Sequence, residues 1–218
     1  MISRNPDPKG RSMQWWQRVA RRIRVPLGFM MAALYLVEIA RTQPHPAAIA
    51  WSLALVLPGL ALRAAASGTV RKNRELTVSG PYACTRNPLY LGSALIAAGF
   101  CVALLSWPVA VVLALGFAAI YIPVIASEER FLRSTFPEFD AYSRRVPRFI
   151  PRLTAANVNQ SNRVQAQASP VTSDAQGGFS LALYREHREY NAAIGAALLY
   201  LCLLFLRPLL GLIVHGTR

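Results

Sequence analysis

Four long apolar runs constrain this chain more than any other feature: Ala47–Ala66, Leu89–Leu105, Val109–Ala126 and Asn191–Val214. Each approaches the length of about 20 residues needed to cross the hydrocarbon core of a bilayer. A shorter run, Val25–Ala40, precedes them and carries Glu38 near its outer end, where a carboxylate is expected to snorkel toward the interface. Only 16% of the residues are charged and 54% are hydrophobic, whereas soluble domains carry about 25% charged residues. Lipid offers no partner to backbone N–H and C=O groups, so the runs must form helices that satisfy them internally. The expected fold is therefore all-α, a polytopic integral membrane protein with about five transmembrane helices.

The formal charge of +14 could suggest nucleic acid. The basic residues flank apolar runs, however, and form no stripe with interleaved aromatics, so no nucleic-acid partner is expected. They read as topology determinants and as contacts for anionic membrane lipids. With the N-terminus in the cytoplasm, the inner segments hold 21 of the 24 Lys and Arg residues: 7 before Val25, 5 from Arg63 to Arg86 and 9 from Arg130 to Arg188. Only Arg41, Arg207 and Arg218 fall outside. This places the polar clusters described below on the cytoplasmic side, of the inner membrane if the cell is bacterial.

Four stretches follow from composition. Residues 1–24 form a basic amphipathic interfacial segment, with Trp15 and Trp16 ahead of Arg18, Arg21, Arg22 and Arg24. Residues 25–153 form the transmembrane core. Residues 154–179, rich in Asn, Gln, Ser, Ala and Gly, read as a flexible linker. Residues 180–218 form a C-terminal helix containing the fifth span, on which Tyr184, His187 and Asn191 should share one polar face. No small-residue cleavage site follows the first apolar run, so no cleavable signal is expected. Cys84, Cys101 and Cys202 are isolated and lack a C-x-x-C spacing, which argues against a disulfide framework or a metal site.

Three polar clusters interrupt the apolar pattern. The first is Gly80-Pro81-Tyr82 followed by Arg86-Asn87-Pro88-Leu89-Tyr90-Leu91-Gly92, a turn leading into a helix with Asn87 as N-cap and Pro88 in its first position. The second is Ser127-Glu128-Glu129, where the fourth run leaves the membrane. Acids at a helix C-terminus oppose the macrodipole, and Glu129 is spaced to pair with Arg133. In the third, Pro137 starts a short helix with Phe139 and Tyr142 on one side, and Val146-Pro147 ends it before Arg148. Each cluster also has a purely structural reading, as cap, interfacial aromatics or lipid contacts.

Together, in this order and spacing, the clusters resemble the isoprenylcysteine carboxyl methyltransferase and phospholipid methyltransferase family over about residues 55–152. The resemblance implies S-adenosyl-L-methionine as cofactor and a pocket at the cytoplasmic face. Arg86, Asn87, Pro88 and Tyr90 match the family's Arg-His-Pro-x-Tyr stretch, Glu128 and Glu129 its double glutamate, and Tyr142 and Arg148 its closing segment. On this basis Glu129 and Glu128 are the candidate catalytic residues, and Tyr82, Arg86, Asn87, Pro88, Tyr90, Tyr142 and Arg148 the candidate cofactor shell. Two positions depart from the pattern. Asn87 stands where many members have His and cannot titrate. The arginine that the carboxyl methyltransferases carry one turn before the double glutamate is replaced by apolar Ile122-Pro123-Val124-Ile125. The implied activity is methyl transfer to a membrane-embedded or amphipathic small acceptor, a carboxylate first, a phospholipid amine as the alternative. A non-catalytic membrane scaffold or lipid-binding protein is the reading from another class.

Overall fold

The computed structural model describes residues 33–41, 45–71, 75–152 and 178–216, with side chains up to residue 206. The basic segment 1–24 and most of the Ser/Gln-rich stretch lie outside these residues. Among the described residues the chain is all-helical. Helix α1 covers 33–41, α2 Pro46–Ser67, α3 Pro88–Leu104, α4 Trp107–Thr135 and α5 Phe139–Arg145. Helix α6 covers Leu181–Glu186 and α7 Tyr190–Gly216, and a single 3-10 turn, Gly80–Ala83, lies ahead of α3. Among the described residues two helices, α2 and α4, are long and apolar enough to cross a membrane; α3 and the stretch Tyr190–Leu206 of α7 are shorter apolar helices. Leu57, Leu115, Ile122 and Leu198 stay exposed, a distribution that suits lipid rather than water around the helices.

Helices α2 and α3 pack as a tight antiparallel pair because small residues meet along the seam. A Cβ added at Gly59 would sit 2.8 Å from the Gly92 carbonyl oxygen, and one at Gly99 would sit 2.8 Å from that of Ser52. Such close backbone approach is the usual way apolar helices associate where burial from water contributes little. At the far end of the pair, Tyr35 meets Phe100 edge-on at 5.6 Å and Phe100 meets Tyr200 at 4.9 Å. The Tyr200 and Ser52 hydroxyls share a hydrogen bond there. This core fixes α1, α2, α3 and α7 relative to one another and leaves the opposite end for polar groups.

Two elements differ from the sequence expectation. Helix α4 does not stop where its apolar run ends. It continues to Thr135, so Glu128 and Glu129 lie about two turns inside it and escape most of the unfavourable terminal dipole. The C-terminal helix is not continuous. It breaks at His187–Glu189, with Arg188 in the left-handed region at φ 52°. Tyr184 therefore sits on α6 while Asn191 sits on α7, and no single helix face carries them with His187. The break presses the entry to α7 onto α2. The His187 Nδ1–H donates to the Ser67 carbonyl at 3.0 Å, and the Ser180 N–H to the Gly68 carbonyl at 2.8 Å.

Candidate functional site

The loop before α3 and the segment after α5 are sewn together by both backbone and side chains. The Arg86 N–H donates to the Pro147 carbonyl at 2.9 Å and the Arg152 N–H to the Cys84 carbonyl at 3.0 Å. Buried Thr85 donates its hydroxyl to the Phe149 carbonyl at 3.1 Å. Buried Asn87 donates its Nδ2 to the Arg148 carbonyl at 2.8 Å. Asn87 thus occupies the N-cap position of α3 by backbone geometry alone, since its side chain makes no cap bond. Its amide is spent on the third cluster instead. Helix α5 completes the seam: Phe139, Tyr142 and Val146 are buried together, and the Tyr142 hydroxyl donates to the Tyr82 carbonyl at 2.8 Å.

The double glutamate faces this seam. Glu129 Oε1 lies 3.1 Å from Arg86 Nη1 and 3.2 Å from Arg148 Nε. These are contacts of charge. Neither meets hydrogen-bond angles, and Glu129 Oε1 and Arg86 Nε are both buried without a hydrogen-bond partner among the described residues. The expected Glu129–Arg133 pair does not form; Arg133 binds Asp140 at 2.8 Å and lies over the Phe139 ring at 5.5 Å. Glu128 accepts a hydrogen bond from the Tyr90 hydroxyl at 2.7 Å. Tyr90 in turn meets Tyr121 edge-on at 5.1 Å, and Tyr121 stacks on Phe117 at 4.1 Å.

Between these groups lies a cavity of about 410 Å³, within the range of small-molecule and cofactor sites. Tyr82, Arg86, Asn87, Pro88, Tyr90, Tyr142, Glu128 and Glu129 all line it. Arg148 reaches the cluster through Glu129. Burial raises the Tyr82 phenol above its ordinary value, with Tyr142 and Glu128 adding to the effect. Burial also raises Tyr142, against the opposing influence of Arg86. Both phenols are therefore neutral donors at ordinary pH.

Among the lining residues that sequence reasoning missed are Arg63, Ser93, Tyr121 and Glu189. Arg63 Nε and Nη2 both donate to Glu189 Oε2, at 3.1 and 2.7 Å, while Nη1 donates to the Ser93 hydroxyl and to the Leu89 carbonyl. The signal for Arg63 was present, because an arginine within an apolar run is by itself a functional candidate. Glu189 had no such signal, since its place depends on the break at Arg188. Helix α2 thus brings an arginine to the cavity that Glu128 also lines.

The bundle thus combines apolar outer faces, as expected of a helical protein of membrane type, with a polar, aromatic-walled cavity of small-molecule size at one end. Residues 52–138 match the phospholipid methyltransferase family, a family of membrane-embedded methyltransferases, and bear out the resemblance read from the three clusters. The match begins in α2 and ends at the start of α5, so it contains the first two clusters and both glutamates. Among curated proteins, the chain is 50% identical over 84 residues to the cobalt-zinc-cadmium resistance protein CzcN of Cupriavidus metallidurans. It is 45% identical over 84 residues to the nickel-cobalt-cadmium resistance protein NccN of Alcaligenes xylosoxydans xylosoxydans. Each alignment covers 38% of this chain and 39% of the relative, so the chain spans about two-fifths of the length of the curated relatives it matches. No solved structure matches it.

Proposed function

We propose that this protein is an S-adenosyl-L-methionine-dependent methyltransferase acting on a membrane-embedded or amphipathic small acceptor. The observation that carries the reading is that Arg86 and Glu129, both lining a cofactor-sized cavity, each hold a buried polar atom without a hydrogen-bond partner among the described residues, Nε and Oε1. A donor and an acceptor without hydrogen bonds, on two residues of one cavity, fit the carboxylate and ammonium of an amino-acid moiety once side-chain movement exposes them. When bound, the cofactor supplies a methyl group on a sulfonium whose departure leaves a neutral thioether. Arg86, steadied by Glu129 and by the backbone bond to Pro147, would hold the cofactor's carboxylate. Glu129 would hold its ammonium. The Tyr90 and Tyr121 rings offer π faces to a cation. Tyr90 keeps Glu128 oriented through its hydroxyl, and the Asn87 and Tyr142 bonds hold the closing segment, with Arg148, against the site.

The family match also fits the membrane setting. We read the chain as spanning the membrane about five times, with the N-terminus and the cavity cytoplasmic, because that arrangement puts most Lys and Arg residues inside. The basic flanks then face anionic lipid head groups. The acceptor we favour is a carboxylate. It needs no general base, and Arg63 brings to the cavity the positive charge that such an acceptor requires. A phospholipid amine is the second reading, favoured by the two glutamates, either of which could take a proton. The test is incubation of purified protein and membrane lipid extract with methyl-labelled S-adenosylmethionine. Label released as methanol by mild alkali marks an ester; alkali-stable label in lipid marks an N-methyl product. No transfer to any component by folded protein would refute the reading.

A further inference from the structure

The cavity contains a second ion pair that the proposed cofactor contacts leave unused. Arg63 is held on one side by the α2/α3 seam: Nη1 is fixed on the Ser93 hydroxyl and the Leu89 carbonyl. Its stem passes over Gly92, where an added Cβ would lie 2.6 Å from Arg63 Cγ. The rest of its fork, Nε and Nη2, closes on a single carboxylate oxygen of Glu189. That carboxylate comes from a different unit, the break between α6 and α7. The two side chains keep 23% and 13% of their surface accessible, so the pair is reachable from the cavity. We propose that Arg63 is the carboxylate-binding residue of an acceptor subsite, and that Glu189 is its resident stand-in, displaced by the carboxylate of an acyl-chain ligand.

This inference rests on the methyl-acceptor reading of the cavity. A partly buried guanidinium without a counter-ion is unfavourable, so the chain supplies one until a ligand does. The fork favours a planar carboxylate with two parallel N–H···O bonds. A carboxylate and its methyl ester differ by one charge, so Arg63 discriminates between them, and Glu189 re-pairs once the charge is gone. Apolar Leu76, Phe131 and Phe136 line the same cavity and suit the chain of such a ligand.

The test is calorimetric titration of the full protein in detergent with myristate, methyl myristate and myristylamine as probes. A tethered carboxylate competes at an effective concentration of millimolar or more, so Glu189→Gln should bind myristate at least about tenfold more tightly than the wild type. Methyl myristate should not gain. Arg63→Gln should lose the preference of acid over ester, and Arg63→Lys should keep part of it. Glu189→Gln should also melt earlier than the wild type and recover with myristate; a merely structural pair predicts earlier melting with no gain in affinity. Glu189→Asp, which keeps the charge on a shorter arm, should move affinity in the same direction by about threefold and serves if the Gln variant does not fold. Myristate binding equal to or weaker than wild type in both Glu189 variants, or equal acid and ester binding, overturns the proposal. Titration of the wild type with S-adenosylmethionine separates the two readings: carboxylate binding without cofactor binding would keep Arg63 as a carboxylate site displacing Glu189 but refute the methyltransferase and, with it, the site's role as an acceptor subsite.

Discussion

Replacing Asn87 tests the seam that closes the site. Asn87 is 6% exposed and donates to the Arg148 carbonyl at 2.8 Å, next to the residue that reaches Glu129. Asn87→Leu keeps the branched arrangement and the number of side-chain heavy atoms, so it removes the donor without opening a cavity. The carbonyl is then left buried without its partner, at a cost of about 1–3 kcal/mol. For a chain of this size each kcal/mol lowers the melting temperature by about 2–4 °C, so a loss of about 2–12 °C is expected in detergent. Asn87→His should recover much of it, because Nδ1–H of an imidazole stands where Nδ2–H of the amide stood. S-adenosylmethionine affinity should fall with the Leu variant, since Arg148 is no longer held beside Glu129. The assay is thermal unfolding paired with cofactor titration. An unchanged melting temperature in Asn87→Leu, or a His variant no better than Leu, would refute the assignment of the amide to this carbonyl.

Other consequences follow from the same contacts. Gly92→Ala forces a Cβ to within 2.7 Å of the Gly59 carbonyl oxygen, and the overpacking should destabilise by about 1–3 kcal/mol, seen as earlier melting. Tyr90→Phe removes the bond to Glu128 while keeping the ring; methyl-transfer rate should drop more than cofactor affinity, and an unchanged rate would refute the orienting role of this bond. Burial raises the Tyr82 and Tyr142 phenols in the folded state, so on raising the pH the unfolded chain loses these protons first. Their stabilising effect is complete below about pH 10 and fades above it, by up to about 1.4 kcal/mol per pH unit per tyrosine. Alkaline melting curves should show this fall, and Tyr142→Phe should lessen it.

What could be read from the sequence was what local chemistry determines. Apolar length marks α2, α3 and α4, and Pro137, Phe139 and Tyr142 mark α5, whose buried face follows from i, i+3 spacing. The order of the three clusters sufficed to bring Arg86, Tyr90, Glu128 and Glu129 to one cavity. Pairing was not legible, because it depends on which helices approach and how closely. Glu129 has Arg133 one turn away, yet it faces Arg86 and Arg148 because α4 turns that side toward the loop before α3. Asn87 has the right identity for a capping side chain, but the seam with Arg148 competes for its amide and wins. The partnership of Arg63 with Glu189 spans 126 residues and requires a helix break at Arg188, a residue with no turn preference of its own.

The most direct measurement is titration of purified, monodisperse protein with S-adenosylmethionine, alongside Glu129→Gln and Tyr90→Ala. The account predicts saturable binding by the wild type, weakened at least about tenfold by Glu129→Gln, which removes the charge facing both arginines, and weakened also by Tyr90→Ala. Absence of binding by folded wild-type protein, or equal binding by all three, would contradict it.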